Sequence, residues 1–149
     1  MKLKTINLYN FGSYEGKNTI SFEDSNDGKR VVVIGGKNGA GKTTLFTALQ
    51  ICLYGYHSFG FKSTSKQYFK EVYNLINNKV RLDEFAAAYV EVVFEQITDT
   101  EKVIFEVKRL WTWLSGDIEE QLIVTRDGNV LEEDELANFQ NFLVHLIPP

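Results

Sequence analysis

Two periods run through this chain. Apolar residues alternate with polar ones at Lys2–Asn10, with Leu3, Ile6 and Leu8 as the inward positions, and at Thr19–Phe22, with Ile20 and Phe22 on one face. The alternation returns at Ala88–Gln96, where Val90, Val92 and Phe94 oppose Glu91 and Glu95, and at Val103–Trp113 and Gln121–Thr125. A period of two puts every second side chain on one face of a strand, so these segments predict half-buried strands. Between the second and third, Val31, Val32, Val33 and Ile34 form an unbroken apolar run. Such a run predicts a strand at Arg30–Gly35 buried on both faces, as in a parallel sheet. Helical spacing appears three times. Leu45, Ala48, Leu49 and Cys52 form one stripe, and Phe46, Ile51 and Leu53 add a second side, which predicts a helix buried on more than one face. Phe69, Val72, Tyr73 and Ile76 predict a helix over Lys66–Asn77, and Leu136, Phe139, Leu143 and Ile147 one over Asp134–Ile147.

The connections carry turn chemistry. Asn10–Gly16 is turn-rich, Ser25-Asn26-Asp27-Gly28 and Thr98-Asp99-Thr100 are turns, and Asp127-Gly128 before Val130-Leu131 marks a hairpin. Residues 88–131 therefore read as an antiparallel meander. Glu132–Glu135 suits a helix start, and Pro148-Pro149 a helix stop. Tyr56–Ser65 breaks the helical pattern and predicts a mobile loop. Its Phe59, Phe61 and Lys62 could stack on and neutralise a nucleic acid, but two aromatics and one lysine suit a surface loop with its rings tucked into the core better. Arg109 interrupts the apolar phase of its strand. A phosphate contact is conceivable there; pairing with a carboxylate or a sheet-edge position fits such a residue better.

One loop carries chemistry. Gly36, Gly41, Lys42 and Thr43 stand at the spacing G-x-x-x-x-G-K-T, between the apolar run and the first helix. That order of strand, Gly-rich turn and helix is the P-loop. Gly36, Gly39 and Gly41 let successive N–H groups of the loop, those of Lys37, Asn38 and Ala40 included, converge on an anion. The helix start adds its partial positive charge. Lys42 would neutralise the outer phosphates of a nucleotide, Thr43 would ligate Mg²⁺, and Thr44 would touch the innermost phosphate.

Charge supports this placement. The 149 residues carry a formal net charge of −4, split as +3 over residues 1–50 and −7 over 51–149, so the P-loop lies in the basic portion. No segment is basic enough to predict nucleic-acid binding on charge alone. The single Cys52 excludes an internal disulfide and lies on an apolar helix face, a core position. His57 and His145 have no partner at metal-ligand spacing. Met1-Lys2 runs directly into a strand pattern, and no apolar run reaches the roughly 20 residues of a membrane span. A soluble, cytoplasmic chain is expected.

A complete P-loop ATPase also needs an apolar strand ending in Asp to hold Mg²⁺, with an acidic neighbour to orient water. Val92-Val93-Phe94-Glu95 lacks the Asp, and Leu122-Ile123-Val124 reaches Asp127 only inside a turn. Leu114-Ser115-Gly116-Asp117 has the look of the L-S-G-G signature of ABC ATPases but follows a strand instead of opening a helix. No catalytic residue is expected in this chain.

Asn10-Phe11-Gly12-Ser13 after the first strand, IGGKNGAGKTTLFTAL, and Leu53-Tyr54-Gly55 together resemble the start of SMC/RecF/RecN ATPase heads, and most of all the DndD family of DNA-phosphorothioation ATPases. The resemblance covers Met1 to about Gly60. It implies an α/β fold of the P-loop NTPase class, the N-terminal lobe of an ABC-ATPase/SMC head, with parallel core strands and an antiparallel β meander. It further implies a single domain over 1–149, divided into a P-loop core 1–78, a lobe 88–131 and a closing helix 134–147. ATP and Mg²⁺ are the implied cofactors. The implied partners are the protein's own C-terminal half, a second head in an ATP-dependent dimer, DNA, and other DNA-modification or repair subunits, with no membrane. A nucleotide contact is implied for Ser13. Many relatives carry a basic residue where this chain has Gly12. The Q-loop glutamine of the group is not matched by Gln140, which falls in a helix. Three other classes compete: an ABC transporter subunit, a self-contained P-loop kinase or GTPase, and a scaffold with a vestigial P-loop. The N-F-x-S loop and missing signature oppose the first, and the missing Mg²⁺ Asp and acceptor or guanine site oppose the second. Calorimetry with ATP and Mg²⁺ would separate the third.

Overall fold

The computed structural model describes residues 1–22, 32–37, 39 and 41–146. The turn expected at Ser25–Gly28, residues Arg30 and Val31, the loop positions Asn38 and Ala40, the His145 side chain, Ile147 and the Pro148-Pro149 stop lie outside the described residues. Strands β1 (Lys2–Phe11) and β2 (Tyr14–Ser21) form a hairpin. Helix α1 (Lys42–Tyr54), a 3₁₀ turn (Gly55–Phe59) and helix α2 (Lys66–Leu75) follow. Strands β3 (Phe85–Ile97), β4 (Lys102–Leu114), β5 (Asp117–Arg126) and β6 (Asn129–Val130) then form the meander, and helix α3 (Glu133–Leu146) closes it.

All six strands lie in one antiparallel sheet, in the order β2-β1-β3-β4-β5-β6. Register follows the alternation. Ile6 pairs with Val92, Val92 with Val107 and Val107 with Val124, so four buried side chains cross the sheet in a row. One residue of slip would turn each of them to the opposite face. Helix α1 packs on this apolar face against β1, β3 and β4, contributing Leu45, Ala48, Ile51 and Cys52. Tyr68 and Val72 of α2 and Phe139 and Leu143 of α3 complete the core. Each fully buried large apolar side chain contributes about 1.5–3 kcal/mol against exposure, and the buried set divides about evenly between the strands and the elements packed on them.

Arg109 shows how a cation sits in that phase. It is 4% exposed. Its Nη1 donates to Glu120 Oε1 at 2.6 Å and its Nε to the Cys52 carbonyl at 3.2 Å. Trp111 Nε1 donates to Glu120 Oε2 at 2.7 Å, and the Tyr68 hydroxyl donates to the same oxygen. The carboxylate alternative is therefore the observed one, and the hydrogen bonds of Arg109 go to Glu120 and to the C-terminal part of α1, not to its start. Gly55, at φ 55°, lets the end of α1 lie on the guanidinium, since a Cβ there would come within 2.8 Å of Arg109 Cζ.

Three expectations change. The sheet hairpin turns on only Gly12 and Ser13, and β2 starts at Tyr14, not at Thr19. Asn10 makes this possible: at φ 51° its Oδ1 accepts from the Gly16 N–H at 2.9 Å and its Nδ2 donates to the Ala87 carbonyl at 3.1 Å. The stretch expected to be a mobile loop from Tyr56 is regular to Phe59. Phe59 and Phe61 pack on the core with ring centroids 6.2 Å apart, and Phe59 lies 6.1 Å from Tyr68, while Lys62 is exposed. Leu114–Asp117, already set apart from a helix-opening signature by the strand before it, is the β4–β5 hairpin, with Ser115 at φ 52° and Gly116 at φ 92°. Lastly, residues 32–37 carry no strand, and no parallel pairing exists among the described residues. Val32, Val33 and Ile34 are 59%, 87% and 49% exposed, and Phe46 on the outer side of α1 is 61% exposed. A parallel strand requires neighbours and cover on both faces, and these exposures show that the run lacks such cover.

Candidate nucleotide-binding site

Helix α1 begins without help from any side chain. Its N-cap is Gly41, at φ 88° in the left-handed region, with no side-chain cap and no acidic residue in the first turn. By contrast, α2 is capped by Ser65, whose Oγ accepts from Tyr68 N at 3.2 Å, and α3 opens with Glu133, Asp134 and Glu135. The first N–H groups of any helix need acceptors. No side-chain cap takes those of α1, and the helix dipole favours an anion there.

The described loop residues match that purpose. Lys42 Nζ donates to the carbonyl oxygens of Gly36 and of Lys37, at 2.9 Å to the latter, so the lysine is folded over its own loop. Thr43 is exposed, and its hydroxyl has no partner among the described residues, as a cation ligand in waiting requires. A cavity of about 340 Å³ is lined by Ser13, Gly39, Gly41, Lys42, Thr43 and Thr44. Of the residues expected to bind nucleotide, the structure thus gathers Gly39, Gly41, Lys42, Thr43, Thr44 and Ser13 around one space. Gly36 and Lys37 meet it through Lys42, and Asn38 and Ala40 are outside the described residues.

The glycines are a condition of this packing. A Cβ on Gly41 would stand 2.9 Å from Ser13 Oγ and 3.0 Å from the Tyr14 hydroxyl. A Cβ on Gly12 would stand 2.2 Å from Thr44 Cγ2, with φ 56° already strained for any L side chain. A side chain at this position therefore needs Thr44 to shift. The β1–β2 turn is in fact clamped against the helix start from behind. Gly12 N–H donates to the Leu75 carbonyl, Asn77 Nδ2 to the Gly12 carbonyl at 2.9 Å, and Asn77 N–H to the Asn10 carbonyl at 2.8 Å. Asn77, 5% exposed, was not legible as a site residue. Its partner Gly12 is far away in sequence, and no local pattern announces such a contact.

Beneath α1, Cys52 Sγ donates to the carbonyls of Val107 (3.2 Å) and Val90 (3.3 Å). Burial pushes its thiol up to about 12, which keeps it neutral and unreactive. Burial, reinforced by the Glu120 charge, also raises the Tyr68 phenol. His57 is exposed with its ring 4.3 Å from that of Tyr56, and no metal-holding cluster of His, Cys, Asp or Glu exists among the described residues. Gln140 is exposed on α3. No described helix is long and apolar enough to cross a membrane.

An uncapped helix start with Lys and Thr at the P-loop offsets is the arrangement of the P-loop class of nucleotide-binding proteins. The chain belongs to the AAA_23 family, described as an AAA domain, whose pattern it matches over residues 5–144. Among solved structures it is similar to the SMC head domain from Thermotoga maritima, with 23% identity and a TM-score of 0.49, over 93% of this chain and 41% of that one. No curated protein matches it.

Proposed function

We propose that this chain is the ATP-binding N-terminal half of a composite, SMC-like ATPase head, acting in DNA modification of the phosphorothioation type or in DNA repair. The observation that supports the composite reading is the exposure of Val32, Val33, Ile34 and Phe46 near the cavity lined by Lys42, Thr43 and Thr44. Apolar side chains this exposed next to a site mark a face that another element covers. The residues that fit the cofactor are on hand: backbone amides at the α1 start and Lys42 for the phosphates, and Thr43 for Mg²⁺. Bound Mg²⁺ would neutralise charge on the outer phosphates; the Asp and the water-orienting carboxylate belong to the absent half. The DndD resemblance of Asn10–Gly16, the P-loop and Leu53–Gly55 supports phosphorothioation over other DNA work.

The expected behaviour is nucleotide binding with negligible turnover by this chain alone, and turnover by the full-length protein that Lys42→Ala abolishes. Steady-state ATPase assays on both forms check it, and brisk hydrolysis by the chain alone would sink the composite reading. In cells, Lys42→Ala in the full-length gene is expected to remove phosphorothioate linkages, read by iodine cleavage of genomic DNA. Unchanged cleavage would count against the modification role.

A further inference from the structure

One end of the sheet is apolar where it meets solvent. Leu82, Phe85 and Leu114 are 87%, 67% and 60% exposed. Phe85 opens β3, Leu114 closes β4, and the two stand directly opposite each other. Both continue the phase that points away from α1, since Ala88 and Trp111 of the other phase are buried. Leu82 lies in the turn just before β3. That turn is tied to the β4–β5 hairpin by the Ser115 N–H, which donates to the Glu84 carbonyl at 3.0 Å.

Carboxylates ring the three. Asp83 and Glu84 stand between Leu82 and Phe85, Asp117 is opposite Leu114 on β5, and Glu119 follows on the same face; all four are exposed. The nearest cation in sequence, Arg81, is turned back onto the end of α2. Its Nη2 donates to the carbonyls of Ile76 (2.8 Å) and Asn74 (3.0 Å), and its guanidinium lies 5.2 Å from the Tyr73 ring centroid.

Large apolar side chains this exposed mark a surface that another molecule covers. The charge decides which. Nucleic acid and anionic membranes present phosphates, which the carboxylates repel. A second copy of this chain brings the same acidic ring. A cationic partner is left. Leu114 is already paired on both sides, with Phe85 and with Asp117, so a covering segment meets side chains there and no free strand edge. A helix, whose backbone bonds are internal, suits such a surface.

We propose that Leu82, Phe85 and Leu114 are the docking site for an amphipathic helix of a partner protein, with apolar side chains on one face and Lys or Arg beside them. A photo-crosslinking phenylalanine analogue placed at Leu82, or separately at Phe85, of the full-length protein in its own cells tests this, with the joined peptide sequenced by mass spectrometry. The expected product is a segment of another protein with apolar residues at helical spacing flanked by Lys or Arg. Reversing the ring with Asp83→Lys, Glu84→Lys and Asp117→Lys together is expected to lower the yield at least about tenfold. Changing the Lys or Arg of the joined segment to Glu is expected to restore it. Absence of a product, joining to nucleic acid, to lipid or to any part of the same protein, a joined segment without Lys or Arg, or a loss that the reciprocal reversal does not repair overturns the proposal.

Discussion

Gly12 is the residue whose replacement separates packing from chemistry most sharply. Alanine there would hold a left-handed φ at a cost of about 1–2 kcal/mol and would push Thr44 out of place through a 2.2 Å approach. Gly12→Ala is expected to lower stability by about 1–3 kcal/mol in urea unfolding and to weaken ATP binding through Thr44; an unchanged midpoint and affinity would contradict the close approach. Cys52 gives a pH signature. Its thiol ionises near 9.0 in the ordinary state and at about 12 when folded. Above pH 9 the unfolded chain loses a proton that the folded chain retains. Stability from this site is therefore complete below pH 9 and declines as pH rises toward about 12. Urea midpoints measured from pH 7 to pH 10.5 should fall more steeply for the parent than for Cys52→Ala. Parallel curves would show that the buried thiol contributes nothing. In the same range, alkylation of the folded protein should be slow.

At the scale of elements, the Arg109–Glu120 pair ties β4 and β5 to the end of α1 and, through Tyr68, to α2. With both side chains below a tenth exposed, removing one partner strands a buried charge, at a cost of about 3–5 kcal/mol. Arg109→Met is expected to show that loss in urea unfolding, and Glu120→Gln placed on top of it to recover part of it; strictly additive losses would mean the pair is not coupled. The interruption that Arg109 makes in an apolar phase was visible in the sequence, but its partner was not, because Glu120 lies in the part of β5 before its readable stretch at Gln121–Thr125. Period-two alternation made β3 and β4 legible, and the G-x-x-x-x-G-K-T spacing marked the loop and the start of α1. The hairpin at Gly12-Ser13 was hidden because its geometry depends on Asn10 reaching Ala87 and on Asn77 reaching Gly12, contacts that no local pattern encodes. Apolar run length misled at Val32–Ile34, since it reports that a segment wants cover and not whether this chain supplies it.

For the whole molecule, that uncovered segment yields a test of how the chain is partitioned. Val33→Ser and Phe46→Ser remove side chains that touch little, so each should change the stability of this chain by no more than about 0.5 kcal/mol. The same changes are expected to impair assembly with the complementary half, read by co-purification; a large loss of stability in the chain alone would mean these side chains are already packed. The order of the sheet has another consequence, one of timing. Strand β1 sits between β2 and β3, with Lys2 opposite Glu95. A ribosome adding about 5–20 residues per second delivers β3 roughly 5–20 s after β1. Throughout that interval the edge of β1 that will pair with β3 is open, and the hairpin's apolar face is covered at most by α1 and α2. Such an edge is a template for pairing with other chains. Slower synthesis lengthens this exposure, and a holding chaperone on the newborn β1–β2 hairpin would shorten its consequences.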